Sequence, residues 1–460
     1  MGQILSQPIT EKSSEEGGDK FVAYGLSCMQ GWRISMEDSH STVLDLKSVE
    51  VVNGKGGKGE SSDSSDSQIA YFGVFDGHGG EKVAQFTGKN LPRILKQTDA
   101  FGENDFIKVF KDGYLAADVA ILKDDELSKD PSGCAATSVL ITDKLIVCGN
   151  AGDSRTVMSV GGQCKPLSFD HKPTNEGEKA RIVAAGGYVD LGRVNGNLAL
   201  SRGIGDFEFK NATDLPAEEQ AVTALPDVIV HDATKEDEFI ILACDGIWDC
   251  LTSQQAVDFV RRGIKLKQSM TEICENMMDT CLAPTSGGSG IGCDNMSVCI
   301  VALLRGQTLE DWYDKIGSKI TEDDLAKLPT PNELSLDLYK VDLESKQQQN
   351  AKNEEAAKGS SSGAADYDDE EDNPILKAGA TGGAPNLIQQ LLAASNISTN
   401  NDIIYLDSSA SSILQSLGVM EEDEDDNGGD KKMEEIEEEE EEKTETESDK
   451  AEEEPKSDKQ

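Results

Sequence analysis

The strand-like runs of this chain come in clusters, and that clustering is what most narrows its fold. "KFVAYGLSCMQ", "IAYFGVFD", "ATSVLITDKLIVCGNAG", "RTVMSV", "EFIILACD" and "NMSVCIVALL" are rich in β-branched and aromatic residues and are bounded by Gly, Asp or Asn. Two stretches keep helical spacing instead. Phe106, Phe110, Tyr114, Ala117 and Ile121 fall on one face, and "TSQQAVDFVRRGI" places a hydroxyl cap before apolar Ala256, Phe259, Val260 and Ile264. Strands pair as hairpins and helices group between them without regular alternation. Antiparallel sheets covered by helices are therefore expected, not a doubly wound parallel sheet.

This patterning is confined to residues 21–306, read as one domain. Of the formal net charge of -44, residues 421–460 contribute 22 acidic against 6 basic side chains, too little apolar matter for a core, so they read as a disordered acidic tail. Residues 307–357 form a polar, helix-prone extension, and 358–420 a Ser/Gly/Asp-rich linker with two apolar islands, "PNLIQQLLAA" and "SSILQSLGVM". Each island reads either as a partner-binding helix or as weak local helicity. Within the domain, "NGKGGKGESSDSSDS" (residues 53–67) is low-complexity and reads as a mobile surface loop; it lacks the Lys-Ser/Thr ending of a nucleotide-binding P-loop. Residues 1–20 read as a flexible start. Gly2 and Ser6 of "MGQILS" have the spacing of an N-myristoylation signal, which would give at most weak, reversible membrane contact.

The acidic balance excludes nucleic acid as main partner, since phosphate backbones are bound by clustered Lys and Arg. The ten cysteines form no C-x-x-C pair and several sit inside apolar runs, as buried reduced thiols of a cytoplasmic or nuclear protein do. The longest apolar run, Met296 to Leu304, is too short to cross a bilayer.

Chemistry concentrates in acids at strand ends. Asp76 closes an apolar strand in "YFGVFDGHGGEKVAQF", where glycines permit a sharp bend or the close approach of a ligand to main-chain oxygen. Asp245 ends "EFIILACD", and Asp294 precedes "NMSVCIVALL". Singly, each is commonly a turn residue or a helix cap. "SMEDSH" adds Glu37 and Asp38, "GNAGDSR" adds Asp153, and Asp249 lies four residues beyond Asp245, on nearly the same face of a helix starting there. Carboxylates sharing a site repel one another unless a cation neutralises them. Oxygen donors without clustered Cys or His suit magnesium or manganese, and the four histidines (His40, His78, His171, His231) have no paired-ligand spacing.

"GWRISMEDSH", "FGVFDGHGG", "GNAGDSR", "RVNGNLALSRGIGDFEFK", "ACDGIWD" and "CDNMSV" occur in the order of the signature stretches of the metal-dependent serine/threonine protein phosphatases of type 2C. The chain resembles a fungal-type member over about Phe21 to Arg305. The resemblance implies an α+β fold, a four-layer α/β/β/α sandwich with two central antiparallel sheets and a two-metal Mg or Mn centre between them. Asp76 would bridge both ions, Glu37 and the Gly77 carbonyl would hold one, and Asp245 with Asp294 the other. Asp153 and Asp249, with Asp245, match a weaker third-metal site, and Asp38 a residue that orients bound water. Arg33 matches the phosphate-binding arginine, His78 the general acid, and Arg202 an arginine of the flap from His171 to about Lys210 that approaches substrate. Ala135 stands where the family commonly has a hydroxyl residue.

Two ions of this kind would lower the pKa of a bridging water and offset charge on the phosphoryl oxygens, so no phosphoenzyme is required. The resemblance further suggests a monomer acting on phosphorylated proteins, including protein kinases of stress and cell-cycle signalling. Two rivals stand beside it: another two-metal phosphohydrolase, and a catalytically inactive phosphatase-like adaptor, whose mark would be lost metal ligands.

Overall fold

The computed structural model describes residues 4–50, 68–286 and 290–340, together with the backbone of a short strand pair, Thr399–Asn400 with Ile403–Ile404. The chain divides into two units, Met1–Gly363 and Ala364–Gln460.

The first unit opens on a hairpin, β1 (Ile4–Gly18) and β2 (Val22–Arg33), followed by β3 (Ser39–Val43) and β4 (Ala70–His78). Helices α1 (Lys82–Gln97), α2 (Asp99–Glu103) and α3 (Phe106–Leu122) come next. Then run β5 (Gly133–Ile141), β6 (Leu145–Ala151), β7 (Arg155–Val160) and β8 (Gln163–Pro166). The flap holds α4 (Glu176–Ala184) and three two-residue strands, β9 (Val189–Asp190), β10 (Arg193–Val194) and β11 (Ile204–Gly205). Beyond it lie β12 (Asp227–Asp232), β13 (Asp237–Ala243), α5 (Asp245–Trp248), α6 (Ser253–Lys265), α7 (Met270–Cys281) and β14 (Met296–Leu303). Helices α8 (Leu309–Ser318), α9 (Glu322–Lys327) and α10 (Pro331–Leu338) follow.

Two antiparallel sheets form, with orders β1-β2-β14-β13-β7-β8 and β12-β6-β5-β4-β3, and β11 adds to β5. The strand period of two explains the layering. On β13, Ile240 and Leu242 meet Phe72 and Val74 of β4 between the sheets. Their neighbours Phe239, Ile241 and Ala243 face α6, α7 and α8. Likewise Tyr71 and Phe75 of β4 turn outward onto α1 and α3. Strands buried on both faces read as unbroken apolar runs, and the result is the α/β/β/α sandwich. Helix starts are local in origin: Thr252 caps α6 in a reciprocal box with Gln255, its hydroxyl accepting from Gln255 N while the Gln255 side chain accepts from Thr252 N.

Two sequence expectations are corrected. From Ile4 to Gly18 the segment expected to be flexible is a strand: β1 pairs along β2, and its Lys12 and Ser14 side chains donate to Asp279 (2.7 Å) and Glu275 (2.6 Å) of α7. Its residues are polar because pairing uses the backbone, so no apolar alternation marks it. The domain also does not stop at residue 306. Trp312, Tyr313, Ile316, Ile320 and Leu334 are buried in the same core as β13 and α6, and the Trp312 indole donates to Glu238 O at 3.0 Å. The acylation expected at Gly2, the 53–67 insertion, the two apolar islands and the acidic tail lie outside the described residues. The ten cysteines all lie among the described residues, and nine of them are buried. Among the described residues no helix is long and apolar enough to cross a membrane.

Candidate metal centre

The ends of β2, β4 and β13, with the start of β14, converge on a cleft of about 470 Å³. Glu37, Asp76, Asp153, Asp245 and Asp294 all line it, as do Gly77, His78 and Arg33. Residues up to 261 apart in sequence are thus brought to one place.

Main-chain proximity sets the local sequence. A Cβ on Gly77 would lie 2.2 Å from the Glu37 carbonyl oxygen, and one on Gly246 would lie 2.1 Å from that of Asn295, so both positions require glycine. Glu37 is fixed at both oxygens, accepting from Ser35 Oγ at 2.7 Å and from Gly80 N at 3.0 Å. Asn295 ties the elements together. Its Oδ1 accepts from Glu37 N (2.9 Å), and its Nδ2 donates to Gln30 O (2.8 Å) and Ser35 O (2.9 Å). Arg33 donates to the Asp294 carboxylate. The Asp245 amide points at Asp76 Oδ2, 3.4 Å away.

Burial pushes Asp76 well above the usual carboxylate range, and the charges of Asp245, Asp38, Asp294 and Asp153 add to the effect. Asp245 is pushed up in the same way, by burial and then by Asp153, Asp294 and Asp249. Asp294 is raised by burial against the opposing Arg33 charge. Acids so placed call for a cation, and their all-oxygen donor set suits a hard one, Mg²⁺ or Mn²⁺.

Asp249, also raised by burial, ends the α5 turn and stands back from the cleft lining. Lys172 lies 2.6 Å from Asp153 Oδ2 and offsets charge on this side. Asp38 sits behind the cleft, accepting from Ser297 Oγ at 2.7 Å, with Oδ1 buried and without a hydrogen-bond partner. Burial and then Asp294 push it up to about 7. Ligand atoms of Asp38, Asp76 and Cys244 lie within 4.8 Å of one another. Burial holds the Cys244 thiol well above its ordinary range, so it is a neutral core group that accepts from Ser297 N at 3.1 Å, not a thiolate ligand.

Burial pulls His78 down, but the charge and hydrogen bond of Asp206 outweigh it, and the net shift is upward. The His78 Nε2 to Asp206 Oδ1 distance is 2.7 Å. Asp206 and Asn295 escape sequence reading; their only signal is membership of the "GIGDFEFK" and "CDNMSV" stretches.

Arg202, like Asp38 and Asp249, is not among the residues that line the cleft. Its guanidinium meets Glu178 (2.7 Å), Asp227 (2.8 Å) and Leu225 O (3.1 Å). Instead the flap lines the cleft with Arg193, Leu198 and Leu200.

A carboxylate-lined cleft at the ends of two stacked antiparallel sheets defines a metal-dependent phosphatase of the α+β class. The family model "Protein phosphatase 2C" matches residues 22–290, and the chain belongs to this family of metal-dependent serine/threonine phosphatases, which are hydrolases. It is 55% identical over 324 residues to "Protein phosphatase 2C homolog 3" of Schizosaccharomyces pombe, covering 70% of this chain and 75% of that protein. "Protein phosphatase 2C homolog 2" of the same organism is 53% identical over 321 residues, covering 70% and 83%. Among solved structures, a phosphatase from Toxoplasma gondii aligns with a TM-score of 0.51 at 24% identity, covering 64% of this chain and 96% of that one, a likeness of fold.

Proposed function

We propose that this cleft hydrolyses phosphoserine and phosphothreonine in proteins, with Glu37, Asp76, the Gly77 carbonyl, Asp245 and Asp294 holding two Mg²⁺ or Mn²⁺ ions. Asp153 and Asp249, with Asp245, would hold a weaker third. The observation that carries the reading is the convergence of five carboxylates in one cleft where burial, and then the charges of neighbouring acids, push Asp76 and Asp245 up. A bound pair of such ions supplies an activated water and neutralises charge on the phosphoryl group.

The chain's own residues do the rest. Arg33, at the cleft edge with its side chain 40% exposed, can grip two phosphoryl oxygens with its planar fork. Asp38 has an oxygen that no protein donor satisfies and orients the attacking water through it. His78 delivers a proton to the departing seryl or threonyl oxygen. Arg193, Leu198 and Leu200 close the substrate side.

The substrates we infer are phosphorylated proteins, protein kinases of stress and cell-cycle signalling among them, which makes the enzyme a negative regulator of those pathways. It acts as a monomer in cytoplasm and nucleus. The test is phosphate release from a phosphothreonine peptide with Mg²⁺ or Mn²⁺, against EDTA and Asp245→Ala controls. Release by the metal-supplied wild type alone supports the reading. Activity surviving chelation contradicts it, and metal binding without release points to an inactive adaptor.

A further inference from the structure

We propose that Asp206 is the positioning residue for His78: its carboxylate fixes the imidazole so that Nε2–H points into the protein and Nδ1 serves the departing oxygen. The proposal rests on the phosphatase reading above and adds a residue to it.

Asp206 stands 128 residues from His78 in sequence and is only 3% exposed. Its backbone is left-handed (φ 53°), a conformation that Asp and Asn tolerate and most residues resist. Neighbouring contacts hold it there. The Asp118 carboxylate of α3 accepts from Gly205 N (2.8 Å) and from Lys210 Nζ (2.6 Å), and Lys210 also reaches Gly203 O at 2.7 Å. Strand β11 then pins the turn against β5 through the pairs Ile204 with Cys134 and Gly205 with Gly133.

Space is cleared for the side chain. A Cβ on Gly133 would lie 2.2 Å from Asp206 Oδ2, so the carboxylate fits only against a glycine. Of its two oxygens, Oδ1 meets His78 Nε2 at 2.7 Å while Oδ2 is buried with no hydrogen-bond partner. A carboxylate placed for stability alone would fill both oxygens with donors. This one is aimed at a single imidazole nitrogen, as carboxylates that set a histidine's tautomer and orientation are.

The chemistry balances. Water adds its oxygen to phosphorus as the bond from phosphorus to the side-chain oxygen breaks. The departing oxygen keeps the electron pair and takes the Nδ1 proton of the imidazolium, leaving neutral His78 with Nε2–H bonded to Asp206, and the proton given up by the water returns Nδ1 to its protonated form. The products are alcohol and inorganic phosphate.

The test compares wild type with Asp206→Asn, which keeps size and tolerance of a left-handed backbone, on a phosphothreonine peptide and on p-nitrophenyl phosphate. Nitrophenolate leaves without protonation; threonine does not. We expect kcat to fall about ten- to a hundredfold on the peptide and less than about threefold on the aryl ester. In a His78→Gln background Asp206→Asn should cost nothing further. Equal losses on both substrates, additive losses in the double variant, or no loss would overturn the proposal. Nitrogen-15 spectra of the wild-type histidines above neutral pH give a readout that needs no variant: Nε2–H on neutral His78 supports it, and an Nδ1–H tautomer overturns it. A wild type without metal-dependent activity would sink the phosphatase reading itself, whereas an active wild type with an unchanged peptide-to-aryl ratio in Asp206→Asn sinks only this inference.

Discussion

Arg202 and Glu178 form a tight ion pair inside the flap, Nη2 to Oε1 at 2.7 Å, with side chains 14% and 7% exposed. Arg181 meets the same carboxylate at 2.8 Å and Ser201 donates to it at 2.6 Å. The cluster ties α4 to the strand that follows the flap. Arg202→Ala removes one of the two arginines on Glu178, whose charge Arg181 still offsets, and should destabilise the protein by about 1–3 kcal/mol. Because Arg202 lies away from the cleft lining, KM for a phosphopeptide should stay near the wild-type value. Urea unfolding and steady-state kinetics on the same preparation check both halves.

The same cluster gives a pH dependence. Burial pushes Glu178 up, but hydrogen bonds from Arg202 and Ser201 and the charges of Arg202 and Arg181 outweigh it and hold the carboxyl at about 2, against an ordinary value of 4.5. A depressed carboxyl stabilises the fold fully above its unfolded pKa, and that contribution is lost as pH falls from 4.5 toward 2. Glu178→Gln should therefore flatten the acid limb of a stability profile over that window. Melting temperatures at stepped pH would show it.

Arg33 carries the opposite expectation. Arg33→Lys keeps the charge but loses the planar fork, and KM for a phosphothreonine peptide should rise about tenfold. Melting temperature should barely change, since the side chain is 40% exposed. Initial-rate kinetics distinguish this from the Arg202 variant.

Helix α8 belongs to the core. Trp312 is 2% exposed and packs edge-on against Phe239 of β13, with ring centroids 6.4 Å apart. Trp312→Ala should cost about 3–5 kcal/mol, and a chain ended at Arg305 should be less stable than one ended at Lys340. Chemical denaturation of the three proteins tests this.

The carboxylate cluster was legible because its acids stand at the ends of apolar runs. Asp76 lies near the end of β4, Asp245 just beyond β13 and Asp294 just before β14, and the two-sheet architecture follows from how those strands cluster. What escaped has no such contrast. Asp206 looks like any turn acid in "GDFEFK", because its meaning comes from a histidine on another sheet strand. β1 pairs through its backbone and shows no apolar period. Trp312 and Tyr313 are sparse anchors in a polar stretch, so the burial of α8 is invisible locally. Arg202 sits in a matching motif, yet Glu178 and Asp227 claim its guanidinium, a competition no motif displays.

The most direct test of the centre is calorimetric titration of the metal-free protein with Mn²⁺, for wild type and for Asp76→Asn. The account predicts at least two bound ions in the wild type, a rise in melting temperature on loading, and loss of both effects in the variant. Equal stoichiometry and equal affinity in the two proteins would contradict it.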